Sequence, residues 1–305
     1  MKKTILIENK IAVVGMGTMG CGIAQIAAQN GCQVVLYDSD PEKTQAGLAL
    51  IKKNLERLVS KGELTQEAAQ TAISRISNIG SLEELQDSFL IIEAIIEDRG
   101  EKNKLFKQLS AHCDGQAILA SNTSSIPITE IAAHTSHPEN VIGLHFMNPV
   151  PLMPGVEIIR GLKTSDDTYH KTRKFVRNLL KEPIYSSDRA GFVINRMLMP
   201  FINEAIMIVE EGTSTIEDVD KGAVHCLNHS MGPLILSDLI GNDTTHHILT
   251  VLENELGGRF KPAPLLTRLV EAGFYGNKCG AGFYLWQQNK PQKVNNDLKR
   301  YLKME

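Results

Sequence analysis

Residues 10–38, KIAVVGMGTMGCGIAQIAAQNGCQVVLYD, restrict what this chain can become more than any other stretch. Residues 11–14 are apolar and mostly β-branched, the composition of a strand buried on both faces. Gly15, Gly17 and Gly20 follow at G-x-G-x-x-G spacing. Residues 21–30 then read as a helix, Gly31 stops it, and residues 33–37 read as a second buried strand ending in Asp38. In this order each glycine has its own task. The first permits the tight turn, the second lets backbone approach a pyrophosphate, and the third lets the helix pack on the strand. Free backbone N–H groups and the helix dipole favour negative charge at the helix start. Gly15, Gly17, Met19 and Gly20 are therefore the expected cofactor contacts of the turn. Asp38 lies 18 residues after Gly20, where a carboxylate accepts hydrogen bonds from an adenosine ribose. That acid repels a 2′-phosphate, and Ser39 rather than Arg follows it, so the expected cofactor is NAD rather than NADP.

The rest of the chain sets the frame. A length of 305 residues implies one or two domains. A formal net charge of −3 leaves no electrostatic footprint for nucleic acid or an anionic membrane, so neither partner is expected. No apolar run is long enough to span a bilayer. Cys21, Cys32, Cys113, Cys226 and Cys279 show no metal-ligand spacing. An odd, sparse set fits reduced thiols and a cytoplasmic setting better than a disulfide framework, and no metal is expected. Lys2 and Lys3 resemble the start of a secretion signal, but Glu8 and Lys10 interrupt any apolar core, so no cleaved leader is expected.

Downstream, apolar strands are expected at 89–94, 117–120, 141–146, 156–160 and 183–187, with a possible short one at 76–79. Helices are expected from the Asp40-Pro41 cap to about residue 60, from 65 to 74, and over 102–109, 127–133 and 166–180. Such alternation predicts an α/β fold, a Rossmann-like, mainly parallel sheet with helices on both faces. Ligands of these sheets lie outside the carboxyl ends of the strands. Asp38, Glu97, the 121–125 run and His145 all fall there and should share one crevice. After Asp188 the pattern reads as helix only: 192–211, 215–223, 233–240, 244–256 and 264–272, with a glycine-rich aromatic tail. The expected domains are 1–187, binding NAD, and 188–305, all-helical. The surplus of apolar residues in 192–211 points to a homodimer interface.

Hydride removal from an alcohol needs a group that takes the hydroxyl proton, and histidine suits that near neutral pH. Of nine histidines, His145 ends an apolar strand on the ligand side, just before a rigid Asn-Pro-Val-Pro turn. A catalytic histidine also needs an orienting carboxylate. Glu157 sits 12 residues on, an acid in the otherwise apolar strand 156–159, where burial demands a partner.

The segments VVGMGTMGCGIAQ, IIEAIIED, ASNTSSIPI, GLHFMNPVPLM, VEIIRG, GFVINRM, MGPLILSDLIGNDT and LLTRLVEAGFYGNKCGAGFY together resemble short, single-function 3-hydroxyacyl-CoA dehydrogenases of the bacterial 3-hydroxybutyryl-CoA type. The resemblance spans nearly the whole chain. It implies that His145 is the catalytic base and Glu157 the acid that holds it. It assigns Ser124 to a substrate oxygen and Asn195 to the thioester end. Glu97, Lys102 and Asn122 match positions near the nicotinamide half of NAD, and Lys61 a lysine that steadies the CoA phosphate. An acyl-CoA or other acyl thioester is the implied substrate, in fatty-acid or butanoate metabolism.

Three places depart from the family pattern: Pro154-Gly155 between the histidine and the glutamate, Ser230 before Met231-Gly232-Pro233, and Asn242. The first and last bear on the acyl pocket, which leaves chain length and carrier open. A hydroxyacyl group tethered to a carrier protein is one alternative. A free hydroxy or sugar acid is another, for which Arg196 beside Asn195 would bind the carboxylate. An NAD-binding protein without catalysis is the third, against which the joint presence of Ser124, His145, Glu157 and Asn195 argues.

Overall fold

The computed structural model describes residues 10–113, 115 and 117–302; Lys2, Lys3 and Glu8, on which the leader expectation rests, lie outside them. The chain divides into two compact units between Phe192 and Val193.

The first unit opens with β1 (Lys10–Val14), α1 (Thr18–Gln29) and β2 (Gln33–Tyr37). Next come α2 (Pro41–Ser60), α3 (Gln66–Ser74), β3 (Ile76–Asn78) and β4 (Leu90–Glu93). Local chemistry places the helix starts. Asp40 Oδ1 accepts from Glu42 N–H at 3.0 Å with Pro41 at the first position of α2, and Thr65 Oγ1 accepts from Ala68 N–H at 3.2 Å. The unit continues through α4 (Arg99–His112), β5 (Ile118–Ser121), α5 (Ile128–Ala132), β6 (Val141–Phe146), β7 (Gly155–Arg160), α6 (Asp166–Asn178) and β8 (Glu182–Ser187).

These strands form one sheet in the order β3-β2-β1-β4-β5-β6-β7-β8. The first six strands are parallel, the 3-2-1-4-5-6 order of a dinucleotide fold. β7 then runs antiparallel to β6, and β8 parallel to β7. Alternation along β1 feeds both faces. Ile11 and Val13 join a core with Ile23, Ile51 and Phe146, whereas Ala12 and Val14 join one with Leu105, Phe106 and Ile131.

The second unit contains α7 (Ile194–Glu210), α8 (Ile216–Cys226), α9 (Pro233–Ile240), α10 (Asn242–Leu256) and α11 (Pro264–Glu271). α7 starts later than expected because Phe192 has φ +47° and buries in the first unit's core. Ile202, Ile206 and Val209 are spent on the core, whereas Phe201 and Met207 are half-buried.

The all-helical expectation needs one correction. β9 (Tyr284–Gln287) and β10 (Lys290–Val294) form an antiparallel hairpin, followed by α12 (Asn296–Tyr301). Its two-residue turn is Gln288-Asn289, with φ +50° and +61°. Glycine-bearing pairs usually mark such turns, and this one has none. Asn242 is also clarified. It is fully buried, donates to Asp238 Oδ1 at 2.8 Å and Phe274 O at 2.9 Å, and accepts from Ser237 Oγ at 2.7 Å. Its side chain is committed to the interior of the second unit.

Candidate active site

The glycine turn behaves as its spacing predicts. Gly15 has φ +99°, and a Cβ there would stand 2.6 Å from Ala94 O. A Cβ on Gly20 would stand 1.8 Å from Gly15 O, which only glycine avoids. A Cβ on Gly17 would meet nothing within 4 Å. The middle glycine therefore faces open space at the start of α1. Met19 is half-buried and packs on the core beneath this turn. Asp38 Oδ2 accepts from Met16 N–H at 2.8 Å and Oδ1 from Asp40 N–H at 3.1 Å, which fixes the carboxylate beside the turn. A cleft lined by Asp38, Ser39, Asn78 and Gly80 opens beyond it. The turn, the acid and the cleft fit a dinucleotide.

At the ends of β4 and β5 the chain buries charge. Lys102 is 1% exposed, with its Nζ 2.5 Å from Glu93 Oε1 and 3.3 Å from Glu97 Oε2. Glu93, fully buried, also accepts from Ser121 Oγ at 2.6 Å and Ile95 N–H at 2.8 Å. Burial pushes its carboxyl up, against the pull of Lys102 and these donors. Glu97 Oε1 gathers the serine run, accepting from Thr123 Oγ1 at 2.6 Å, Ser124 N–H at 2.9 Å and Oγ at 3.2 Å, and Ser125 Oγ at 3.0 Å. Burial raises Glu97, but Lys102 and these donors outweigh it and hold the carboxyl below its ordinary value. Lys102 was expected among the cofactor contacts; its charge is directed at two carboxylates. Asn122 Oδ1 accepts from Phe146 N–H at 2.9 Å and ties the end of β6 to β5.

His145 and Glu157 stand directly opposite in the antiparallel β6–β7 ladder. His145 Nδ1 lies 2.7 Å from Glu157 Oε2, with the histidine 7% exposed and the glutamate fully buried. A carboxylate there calls for a proton on Nδ1 and leaves Nε2 as the acceptor nitrogen. The Phe192 ring packs edgewise on the imidazole, with centroids 5.9 Å apart.

Two further expected residues sit on other elements. Lys61 caps the end of α2, half-exposed, 4.0 Å from Glu63. Asn195 lies buried in the first turn of α7, in the second unit, and the adjacent Arg196 is exposed. Two residues were missed by sequence reasoning. Glu93 carries the signal that identified Glu157, an acid inside an apolar strand. Lys181 carries no signal. It is 9% exposed and donates to the carbonyls of Val150, Pro151 and Met153 at 2.8, 3.2 and 2.7 Å, holding the turn that follows β6.

Comparison with known proteins agrees with this architecture. The 3-hydroxyacyl-CoA dehydrogenase NAD-binding domain matches residues 10–189, and the C-terminal domain of the same family matches 191–286. A probable 3-hydroxybutyryl-CoA dehydrogenase of Bacillus subtilis is 47% identical over 281 residues, 92% of this chain and 98% of its own. A 3-hydroxybutyryl-CoA dehydrogenase of Mycobacterium tuberculosis is 43% identical over 91% of this chain and 98% of its own. The crystal structure of the (S)-3-hydroxybutyryl-CoA dehydrogenase of Ralstonia eutropha superposes with a TM-score of 0.89 at 41% identity, covering 92% of this chain and all of that one. The chain belongs to the 3-hydroxyacyl-CoA dehydrogenase family, and its first unit carries that family's NAD-binding domain.

Proposed function

We propose that the protein oxidises the 3-hydroxyl of a 3-hydroxyacyl-CoA, foremost 3-hydroxybutyryl-CoA, to the 3-ketoacyl thioester with NAD, and catalyses the reverse. One observation carries the chemistry: a strand-end histidine held through Nδ1 by a fully buried glutamate at 2.7 Å. In this reading His145 Nε2 takes the proton of the C3 hydroxyl. NAD, when bound, supplies the ring that accepts the hydride from C3. Glu157 steadies the imidazolium through a charge-assisted hydrogen bond. Ser124 and Asn195 are assigned as donors to substrate oxygens, stabilising charge as the carbonyl forms. Lys61, exposed and cationic, is assigned to the CoA phosphate. In reverse the same histidine is the acid.

The free-acid reading has less support. Neighbouring residues on a helix do not share a face, and Arg196 is exposed where Asn195 is buried. A carrier-protein thioester remains the main alternative to CoA. We also assign a cytoplasmic homodimer. The cysteines show no metal-ligand spacing, no described helix is long and apolar enough to cross a membrane, and α7 presents Phe201 and Met207 beyond its core face. The test is a side-by-side NADH assay of acetoacetyl-CoA, longer ketoacyl-CoAs, a carrier-protein thioester and free keto acids. Turnover confined to free acids would overturn the proposal. Light scattering showing a monomer at micromolar concentration would overturn the dimer.

A further inference from the structure

One buried lysine needs one carboxylate, yet Lys102 has two. Its ammonium is 1% exposed between Glu93 and Glu97, and no other cation lies within 4.0 Å of either acid among the described residues. Glu93 is held as an acceptor on both oxygens. Oε1 takes Ile95 N–H and the Lys102 ammonium, and Oε2 takes the Ser121 hydroxyl. Glu97 is likewise an acceptor, gathering Thr123, Ser124 and Ser125. With both acids ionised the cluster carries a net charge of −1. Glu97 is about one-third exposed, so water screens part of that charge, and a cation beside the cluster would offset the rest. The cluster sits at the carboxyl end of β4 and β5, the edge of the sheet where a dinucleotide's nicotinamide half belongs. That ring is cationic when oxidised and neutral when reduced.

We propose that Glu93 is a positioning residue that anchors Lys102 and leaves this cluster one negative charge in excess, so that the first unit binds the oxidised nicotinamide in preference to the reduced one. The proposal rests on the NAD-dependent reading above. At an effective dielectric of about 20, a unit charge within about 10 Å changes an equilibrium by a factor on the order of ten or more. Glu93→Gln keeps the shape, keeps an acceptor for Lys102 and removes the excess charge.

The test titrates the full-length protein with NAD⁺ by calorimetry and with NADH by its fluorescence. Glu93→Gln should weaken NAD⁺ about tenfold and leave NADH within about twofold. That raises the potential of the bound couple by about 30 mV for two electrons. Ser121→Ala, which removes a hydrogen bond but no charge, should preserve the wild-type ratio. A folded Glu93→Gln protein with an unchanged ratio, or with both forms weakened equally, would overturn the proposal. If Glu93→Gln does not fold, Glu97→Gln makes the same change of one charge at a partly exposed acid, and an unchanged ratio there overturns it equally. A wild-type protein that binds both forms but does not turn over hydroxyacyl thioesters would sink the substrate reading and leave this one standing.

Discussion

Each unit of this protein buries carboxylates, but they are held by different kinds of donor. In the first, Glu157 faces an imidazole, and Glu93 faces an ammonium that it shares with the partly exposed Glu97. In the second, Asp238 accepts from Phe283 N–H, Tyr284 N–H and Trp286 Nε1, each at 2.9 Å, and from Asn242 Nδ2 at 2.8 Å. Asp220 accepts from Leu234 N–H at 2.8 Å and the Tyr284 hydroxyl at 2.7 Å. Burial pushes both aspartates up, and no cation lies within 4.0 Å of either among the described residues. Burial alone therefore does not mark a functional acid. Fixed backbone and ring donors make a staple that docks the hairpin onto α8 and α9. A titratable or cationic partner at a strand end makes a group that can follow a reaction.

The comparison breaks most visibly at His145. His145→Gln should lower kcat by a factor on the order of 10²–10⁴ with NADH affinity nearly unchanged, and Glu157→Gln should lower kcat less and displace the pH–rate profile. Near-normal kcat in a folded His145→Gln enzyme would put this acid in the same class as Asp238. The converse change is Asp238→Asn. An amide cannot accept at both ends, so unfolding free energy should fall by about 1–3 kcal/mol while kcat per folded molecule holds. Chemical denaturation beside single-turnover kinetics separates the two. Asp38→Ala should weaken NADH about tenfold and narrow its preference over NADPH, measured by binding titration, since an ionised acceptor is lost. The smallest effect is on pH. Glu97 lies below its unfolded value, so its contribution is present above the unfolded carboxylate range and fades as pH falls through the folded value. Urea midpoints of wild type and Glu97→Gln should converge in acid and diverge toward neutrality.

Much of the first unit is legible because strands buried on both faces must be largely apolar, and 11–14, 90–92 and 141–144 are. The His145–Glu157 pair was legible for the same reason, an acid in a strand with no room for water. The same reasoning applies to Glu93, an acid at the end of an apolar strand. Phe192 and the Gln288-Asn289 turn were illegible because positive φ at ordinary residues leaves no compositional mark. Lys181 was illegible because its partners are carbonyls, which every residue has.

The direct opposition of His145 and Glu157 has a consequence for how this enzyme can diversify. Slipping β7 by one residue against β6 would place Val156 or Ile158 opposite the imidazole and send the acid to the other face, so the ladder tolerates no insertion. The turn between the strands carries no such restriction. It runs outside the ladder and is fastened by Lys181 through backbone carbonyls, which are indifferent to the side chains they bear. New sequence such as Pro154 can accumulate there while His145 and Glu157 keep their spacing.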